Sequence, residues 1–552
     1  MLCLRFRENG QETGTVRNVK QEEEMKAASI FQEGMILQRN KPVAIWGTGT
    51  PGETIRGAIQ GKQGETTVDA EGKWILILPA LEASEEEELA LQSVRAEGVT
   101  EARTLKQIAV GEVWVAGGQS NMEFHMRYEK HKDEAMKDCD NPRIRFFDVP
   151  EVCYDGQSGE FDYSRMGVWR KADRENLEYF SAVGYYFERE LEKTLDVPVG
   201  IIGCNWGGTR SCAWMSAESA ERVGKPWVQM IEQRISGIDM EEYWKKQHGN
   251  PMNHRGDPFS EPFGELVLPR TPSAEELAEF FQQIPFHPDE YLQALQPCEF
   301  PGCLYEHMLK TIAPYGIRGF LWYQGESDDE PGKQGLYQDM LTAMISDWRA
   351  LWEDTELPFL LVQLPGWENW LDSPGNLDYM TIRKCQEMVA RTVDHAWLCS
   401  ISDAGERMDI HPKNKKVVGE RLALLARGHV YGESLLCDAP MAEAAQRDGD
   451  CVQITFANAE GGLQVRGGKV EALHVYRAQP DEAEKATFSG VTGEAGQQEE
   501  IPFTAQVDGE KLQIRLPEGT GRVKIAFAAT RWYLVNLYNQ AEIPAIPFEF
   551  VC

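Results

Sequence analysis

Four apolar runs in this chain each end in a short polar turn that carries glycine, and this repeat constrains the fold more than any other feature. The first is Gly111-Glu-Val-Trp-Val-Ala-Gly-Gly-Gln-Ser-Asn-Met-Glu123, an apolar strand that meets two glycines and then presents Ser120. Glycine tolerates backbone angles that a Cβ forbids, so such a turn can hold an approachable hydroxyl at the carboxyl edge of a sheet. A lone serine there is more commonly a helix N-cap. Three further segments shift the reading toward chemistry. Gly203-Cys-Asn-Trp-Gly-Gly-Thr-Arg210 follows the apolar run 197–202, and Gly319-Phe-Leu-Trp-Tyr-Gln-Gly-Glu-Ser-Asp328 has the same form. Asp403-Ala-Gly-Glu-Arg-Met-Asp-Ile-His-Pro412 follows the run 396–401. In that order the four can supply a nucleophile, backbone oxyanion donors, an amide donor and an acid–base pair.

Between residues 107 and 430 the apolar strands alternate with helix-patterned stretches at 179–195, 336–352, 380–393 and 413–427. That alternation predicts an α/β fold, a mostly parallel sheet covered by helices on both faces. The segment 216–302 is longer than one crossover requires. Its Trp227, Tyr243, Trp244, His248 and His254 fit either an insertion that walls the active-site cleft or the simple packing of an excursion. Residues 28–106 and 431–552 instead show short runs with period-two alternation and turn signals, as in Val452-Gln-Ile-Thr-Phe and Asp508-Gly. They predict β-sandwich-like modules at the N- and C-terminal ends. Residues 1–27 are polar and are expected to be a disordered leader, with Met25 a candidate natural start.

The blocks GEVW and GQSNME, the Gly-Gly-Thr turn, WYQGES and DIHPKNK resemble the sialate O-acetylesterase family of the SGNH hydrolase superfamily, which is named for Ser, Gly, Asn and His in four sequence blocks. Met35-Ile-Leu-Gln-Arg and Asn536-Leu-Tyr-Asn539 are further landmarks of the resemblance, which covers most of the chain from residue 28 onward. It implies an SGNH-hydrolase-like sheet and a serine esterase that removes O-acetyl groups from carbohydrate through an acetyl-enzyme, without a cofactor. Ser120 is the implied nucleophile and His411 its base, since a serine hydroxyl is a weak nucleophile with no base in reach. The Ser120 N–H, an N–H of Gly207 or Gly208, and the Gln324 side chain are the implied oxyanion donors; losing one such donor costs about 3–4 kcal/mol. Many SGNH hydrolases place Asp three residues before the histidine, but here that residue is Met408. Asp409 lies two before His411, as in the DIHP motif of the sialate branch, and is the first choice for fixing the imidazole tautomer. Asp403, Glu406 or a Ser–His dyad are the alternatives, and Asp409 reads equally well as an Asx turn. The family name points to sialic acid, whereas related enzymes deacetylate xylan, mannan or xyloglucan fragments. The substrate stays open between acetylated sialic acid and acetylated hemicellulose oligosaccharides.

Several residues carry two readings. Arg210, beside the Gly-Gly-Thr turn, either touches substrate or makes a surface ion pair. Trp206, Trp214 and Tyr323 either stack on a sugar or belong to the core. Asn121 either supports the site or only forms the turn. Glu326 and Asp328 are expected to brace their loop, and His429 and His474 to be structural, with no partner or ligand nearby. The twelve cysteines show no CxxC or zinc-type spacing, which predicts buried free thiols of a reducing compartment and no metal. A net charge of −32 speaks against nucleic acid or an anionic membrane as partner. No run approaches the ~20 apolar residues of a membrane span, and the first 27 residues hold no secretory-type apolar core. The expectation is a cytoplasmic enzyme acting on acetylated carbohydrate, with oligomer formation left open. The other class is a noncatalytic carbohydrate-binding protein built on the terminal β modules, but a binding protein has no need of a nucleophile set.

Overall fold

The strand that delivers Ser120 ties the molecule together. In the computed structural model, which describes residues 24–250, 253–254, 273–283, 295–369, 379–478 and 499–552, strand β1 (Gly98–Gly118) runs for 21 residues. Its first half is largely exposed and pairs antiparallel with the strand Ser84–Arg95, whereas every residue from Ile108 to Gly118 is buried. The border expected at 106/107 thus falls inside one continuous strand. One apolar core accordingly includes Ile45 and Leu76 from the N-terminal strands together with Val113, Leu361 and Leu422 from the α/β region. The same loss of apolar surface to water holds both regions.

Around β1 lie β2 (Asn141–Asp148), β3 (Trp169–Ala172), β4 (Val199–Asn205), β5 (Gly319–Tyr323), β6 (Phe359–Val362) and β7 (Ala396–Cys399). Their order is β3-β2-β4-β1-β5-β6-β7, and only β3 runs antiparallel to its neighbour. From β1 the chain skips out to β2 and β3, returns to place β4 beside β1, and then builds on the other side through β5 to β7. The direction reverses at β1, and in open parallel sheets a cleft forms outside the carboxyl ends of the strands at such a point. Ser120 stands there.

The helices fall close to their predicted spans. After the short α1 (Ser120–Glu123) come α2 (Ala182–Leu195), α3 (Tyr337–Leu351), α4 (Met380–Thr392) and α5 (Lys416–Leu425). Helix α2 begins where the Ser181 hydroxyl accepts the Gly184 N–H at 3.0 Å, which satisfies a donor that the first turn leaves open. Helix α5 starts later than its pattern suggested because Glu406 takes the Lys413 N–H (2.9 Å) and Lys413 the Lys415 N–H (3.0 Å) in a turn. Of segment 216–302, the structure describes helices such as Lys225–Ile235, with Trp227 buried, and His254; the rest of the expected cleft wall lies partly outside the described residues. The expected leader, 1–23 of it, also lies outside them.

Beyond residue 440 the strands Met441–Asp448, Cys451–Ala457, Lys511–Arg515 and Thr504–Asp508 form one antiparallel sheet, and Leu473–Arg477, Val523–Phe527 and Phe548–Val551 another. Alternate residues point inward and build a second core around Val452, Ile454, Ile514 and Phe527. This region docks beside β7: the Trp367 N–H donates to the Arg531 carbonyl (2.8 Å), and the Tyr538 hydroxyl donates to Asp403 (3.1 Å). Among the described residues, all cysteines are free thiols and no helix is long and apolar enough to cross a membrane.

Candidate active site

Two glycines set the nucleophile turn. A Cβ on Gly117 would lie 2.7 Å from the Trp348 ring, and one on Gly118, whose φ is +143°, would lie 2.2 Å from the Tyr323 carbonyl oxygen. Only glycine lets β1 end this close to β5 and α3. The Gln119 N–H then donates to the Tyr323 carbonyl (3.1 Å), and α1 begins at Ser120. The loop after β7 meets it from the other side: His411 Nε2 lies 2.9 Å from Ser120 Oγ, and both side chains are buried. Burial first, and the Lys415 ammonium second, hold the His411 pKa well below the ordinary imidazole value. A neutral imidazole at that distance can accept the hydroxyl proton.

Of the three carboxylates weighed as its partner, two are committed elsewhere. Asp403 makes a two-pronged pair with Arg421 (2.7 and 2.8 Å), and Glu406 accepts the Lys413 N–H. Asp409 accepts the His411 backbone N–H at 2.8 Å, which is the Asx turn, while the same Oδ1 stands 3.8 Å from His411 Nδ1. The two readings of Asp409 therefore coexist in one geometry. Burial pushes its carboxyl up to about 6, against the opposing pull of the His411 N–H and Lys413.

The oxyanion donors differ from expectation. The Gly207 N–H is occupied, donating to Glu123 Oε2 at 2.7 Å. Gln324 is fully buried; its amide donates to the Thr209 carbonyl (3.2 Å) and Asp328 (2.5 Å), while its oxygen accepts from Tyr337 (2.9 Å). Gln324 is thus a brace and offers no amide hydrogen to the site. The N–H groups of Ser120 and Gly208 have no acceptor among the described residues, and Gly208, at φ +77°, borders open space. They remain the candidates for the donor pair.

The substrate-contact candidates move as well. Arg210 pairs with Glu299 (2.8 Å) and stacks over Trp227 (4.8 Å), so it holds the insertion instead of a ligand. Trp206, Trp214 and Tyr323 are buried in the core. Glu326 and Asp328 do brace their loop: Asp328 holds the Ser211 N–H and hydroxyl as well as Gln324, and Glu326 holds the Asn121 amide. His429 and His474 have partners after all, Asp438 and Glu500, each at 2.9 Å. His429, Asp438 and Cys437 also place three potential metal-ligand atoms within 4.8 Å of one another, a grouping that residues 429 and 437–438 hide when read in line.

A cavity of about 710 Å³ opens beside the nucleophile turn, at the carboxyl ends of β2 and β4. Its lining includes Glu123 of α1, Asp148, Asn205, Arg165, Arg170, Tyr179 and His254. Burial drives the Asp148 carboxyl up to about 7. Arg165 stacks on Tyr179 at 3.9 Å, and Arg170 donates to the Asn176 side chain (3.0 Å) and the Ser164 carbonyl (2.9 Å). Sequence reasoning named His254 and quoted the blocks that hold Glu123 and Asn205, but missed Asp148, Arg165, Arg170 and Tyr179, which belong to no motif. It also passed over Lys415, although that residue lies in the DIHPKNK block.

Comparison with known proteins bears on the fold and the reaction class. Residues 291–423, which include the Gln324 and His411 loops, match the family described as carbohydrate esterase, sialic acid-specific acetylesterase. The sialate O-acetylesterase of Mus musculus is 25% identical over 441 residues, covering 74% of each chain, and that of Homo sapiens is 24% identical over 446 residues, covering 75% of this chain and 73% of its own. The crystal structure of a carbohydrate acetylesterase from Xanthomonas citri superimposes with a TM-score of 0.70 at 27% identity, covering 95% of this chain and 99% of that one. With motifs, architecture and relatives in agreement, the chain resembles the sialate O-acetylesterases and is a carboxylic ester hydrolase.

Proposed function

We propose that the protein is a serine esterase of SGNH-hydrolase type that removes an O-acetyl group from a carbohydrate through an acetyl-enzyme. The observation that carries this reading is the 2.9 Å contact between Ser120 Oγ and a buried, neutral His411. Nε2 takes the hydroxyl proton as Oγ attacks the acetyl carbonyl carbon, and the N–H groups of Ser120 and Gly208 receive the oxyanion. The sugar oxygen departs with the proton from Nε2. Water, deprotonated by the same nitrogen, then releases acetate and restores the serine. Asp409 is the group we assign to stabilising the imidazolium between these steps.

The leaving sugar is assigned to the cavity beside α1, whose volume is within the usual range for small-molecule sites. Arg165 and Arg170 line it and have no carboxylate partner among the described residues, in a chain whose net charge is −32. Two guanidiniums without a direct ion pair favour a sugar that carries a carboxylate, so acetylated sialic acid is preferred over neutral hemicellulose fragments. Of the carboxyls that share the cavity, Glu123 is held by the Gly207 N–H and burial favours the neutral form of Asp148, whereas Asp162 and Glu175 oppose an anionic sugar.

Ser120→Ala should lower turnover at least ~10³-fold with an unchanged unfolding curve. Near-wild-type acetate release by that variant would refute the mechanism. Mass spectrometry of O-acetylated sialic acid and acetylated xylo-oligosaccharides after incubation tests the substrate. Arg165→Gln and Arg170→Gln should raise KM for the sialic acid and leave that for 4-nitrophenyl acetate unchanged. Faster deacetylation of the xylo-oligosaccharides would overturn the substrate assignment and leave the nucleophile standing.

A further inference from the structure

Behind the Ser120–His411 pair lies a buried ammonium that the reaction above does not use. Lys415 is 0% exposed; its Nζ donates to Asn121 Oδ1 and lies over the rings of Phe124 (4.8 Å) and Tyr323 (5.2 Å). Among the described residues it makes no ion pair, unlike its neighbours Lys413 and Lys416. A buried charge held by one amide oxygen and two aromatic faces is unfavourable for folding, and an apolar side chain would fill the same space without that cost. Its neighbour gives the charge a use. The Asn121 amide donates to Glu326 (2.5 Å) and to the Ile410 carbonyl (3.0 Å). One side chain therefore joins the residue after the nucleophile to the residue before the base. With the ammonium on Oδ1, that amide cannot be turned over without losing all three contacts.

We propose that Lys415 is a positioning residue for the esterase reaction, its charge locking Asn121 between the Ser120 turn and the His411 loop. The same charge disfavours a proton on the His411 ring. The proposal rests on the serine-esterase reading. The charged groups that face Lys415 are Glu326 from the loop after β5, Asp409 and Glu406 from the His411 loop, and Glu129 from the segment after α1. Burial outweighs their attraction and brings the ammonium down to about 7. The Asp409 carboxyl is itself pushed up to about 6, so below that pH it offers His411 little negative charge, whereas Lys415 is a cation there. The sign follows. Removing the cation makes the imidazolium easier to form, so the base is lost at a higher pH, and the difference fades where Lys415 is already neutral.

The test is the pH dependence of kcat/KM on 4-nitrophenyl acetate for the full chain and for Lys415→Met and Lys415→Arg. The wild-type acid limb should fall well below 6.5, the ordinary imidazole value. Lys415→Met should raise its midpoint by at least about one pH unit, a tenfold loss at the acid end. Lys415→Arg, which keeps the charge, should retain the wild-type midpoint even where kcat is reduced. A Lys415→Met enzyme with lower kcat and an unmoved limb would reduce the residue to a packing role and overturn the proposal. So would a wild-type limb at the ordinary imidazole value, which can be read even if Lys415→Met does not fold. An active Ser120→Ala would instead overturn the esterase reading beneath it.

Discussion

At 3.8 Å the Asp409 carboxylate is too far from His411 Nδ1 for a hydrogen bond, yet Asp403 and Glu406 are held by partners away from the ring. Catalytic hydrogen bonds are commonly long in an empty site and shorten once charge develops. The imidazolium formed during attack would draw Asp409 Oδ1 inward, and Asp409→Asn should therefore lower kcat by at least ~10²-fold, because an amide can favour the wrong tautomer. An active Asp409→Asn would leave a Ser–His dyad as the description. The same substitution has a second, independent consequence. Burial raises the folded-state pKa of Asp409 from 3.8 to about 6, so the folded form prefers the protonated acid. Its contribution to stability is fully present below the unfolded value and is lost as the pH rises through about 6. Asparagine cannot ionise and can keep the turn to the His411 N–H. The melting temperature of the variant relative to wild type should thus be higher at pH 8 than at pH 4. Equal differences at both pH values would show that the carboxyl is not perturbed by burial.

Helices were legible where an apolar stripe and a cap coincided, as at α2, whose Ser181 cap and 3.6-residue pattern both lie in the local sequence. What the pattern cannot carry is the distance between elements. Helix α5 lies against α2 at Gly419, where a Cβ would stand 2.6 Å from the Tyr186 side chain and 2.7 Å from the Val183 carbonyl oxygen. Nothing local marks that glycine as a contact point, and helix propensity alone favours alanine there by about 1 kcal/mol. The packing should win. Gly419→Ala should destabilise the protein by about 1–3 kcal/mol in urea unfolding, since backbone atoms of α2 cannot move aside as a flexible side chain can. It should also lower kcat, because α5 begins directly after Lys415 and carries the His411 loop. A stabilised Gly419→Ala would mean that the two helices have room to spare. The misassigned site residues share this origin. The turns that carry Ser120, His411 and Asp409 were readable because their motifs are local, whereas Gln324 and Gly207 are occupied by Asp328 and Glu123, partners that only the assembled sheet brings near.

Over the whole molecule, the sequence suggested separate β modules at the two ends, and the structure treats them differently. The N-terminal strands enter the α/β core through β1, because period-two alternation cannot signal that a strand continues into a second environment. The C-terminal strands keep a core of their own. What joins that core to the rest includes Asn539, one of the landmarks of the family resemblance. Asn539 is fully buried; its amide donates to the carbonyls of Asp438 (2.9 Å) and Asn458 (3.0 Å), and its oxygen accepts the N–H groups of Ala541 (3.2 Å) and Ile543 (3.1 Å). One side chain thus satisfies four backbone groups, one of them in the segment that leaves the α/β region. Asn539→Ala strands those groups away from water, each at a cost of about 1–3 kcal/mol before relaxation. That is a large part of a typical domain's stability of roughly 5–15 kcal/mol. The loss should fall on the junction, splitting calorimetric unfolding into an early transition of the C-terminal core and a later one of the remainder. Asn539 touches neither Ser120 nor His411, so kcat below the first transition should stay within about twofold of wild type. A single transition at the wild-type temperature would show that the two cores are coupled elsewhere. A large fall in kcat with unsplit unfolding would show that Asn539 acts on the His411 loop, through the neighbouring Tyr538–Asp403 contact.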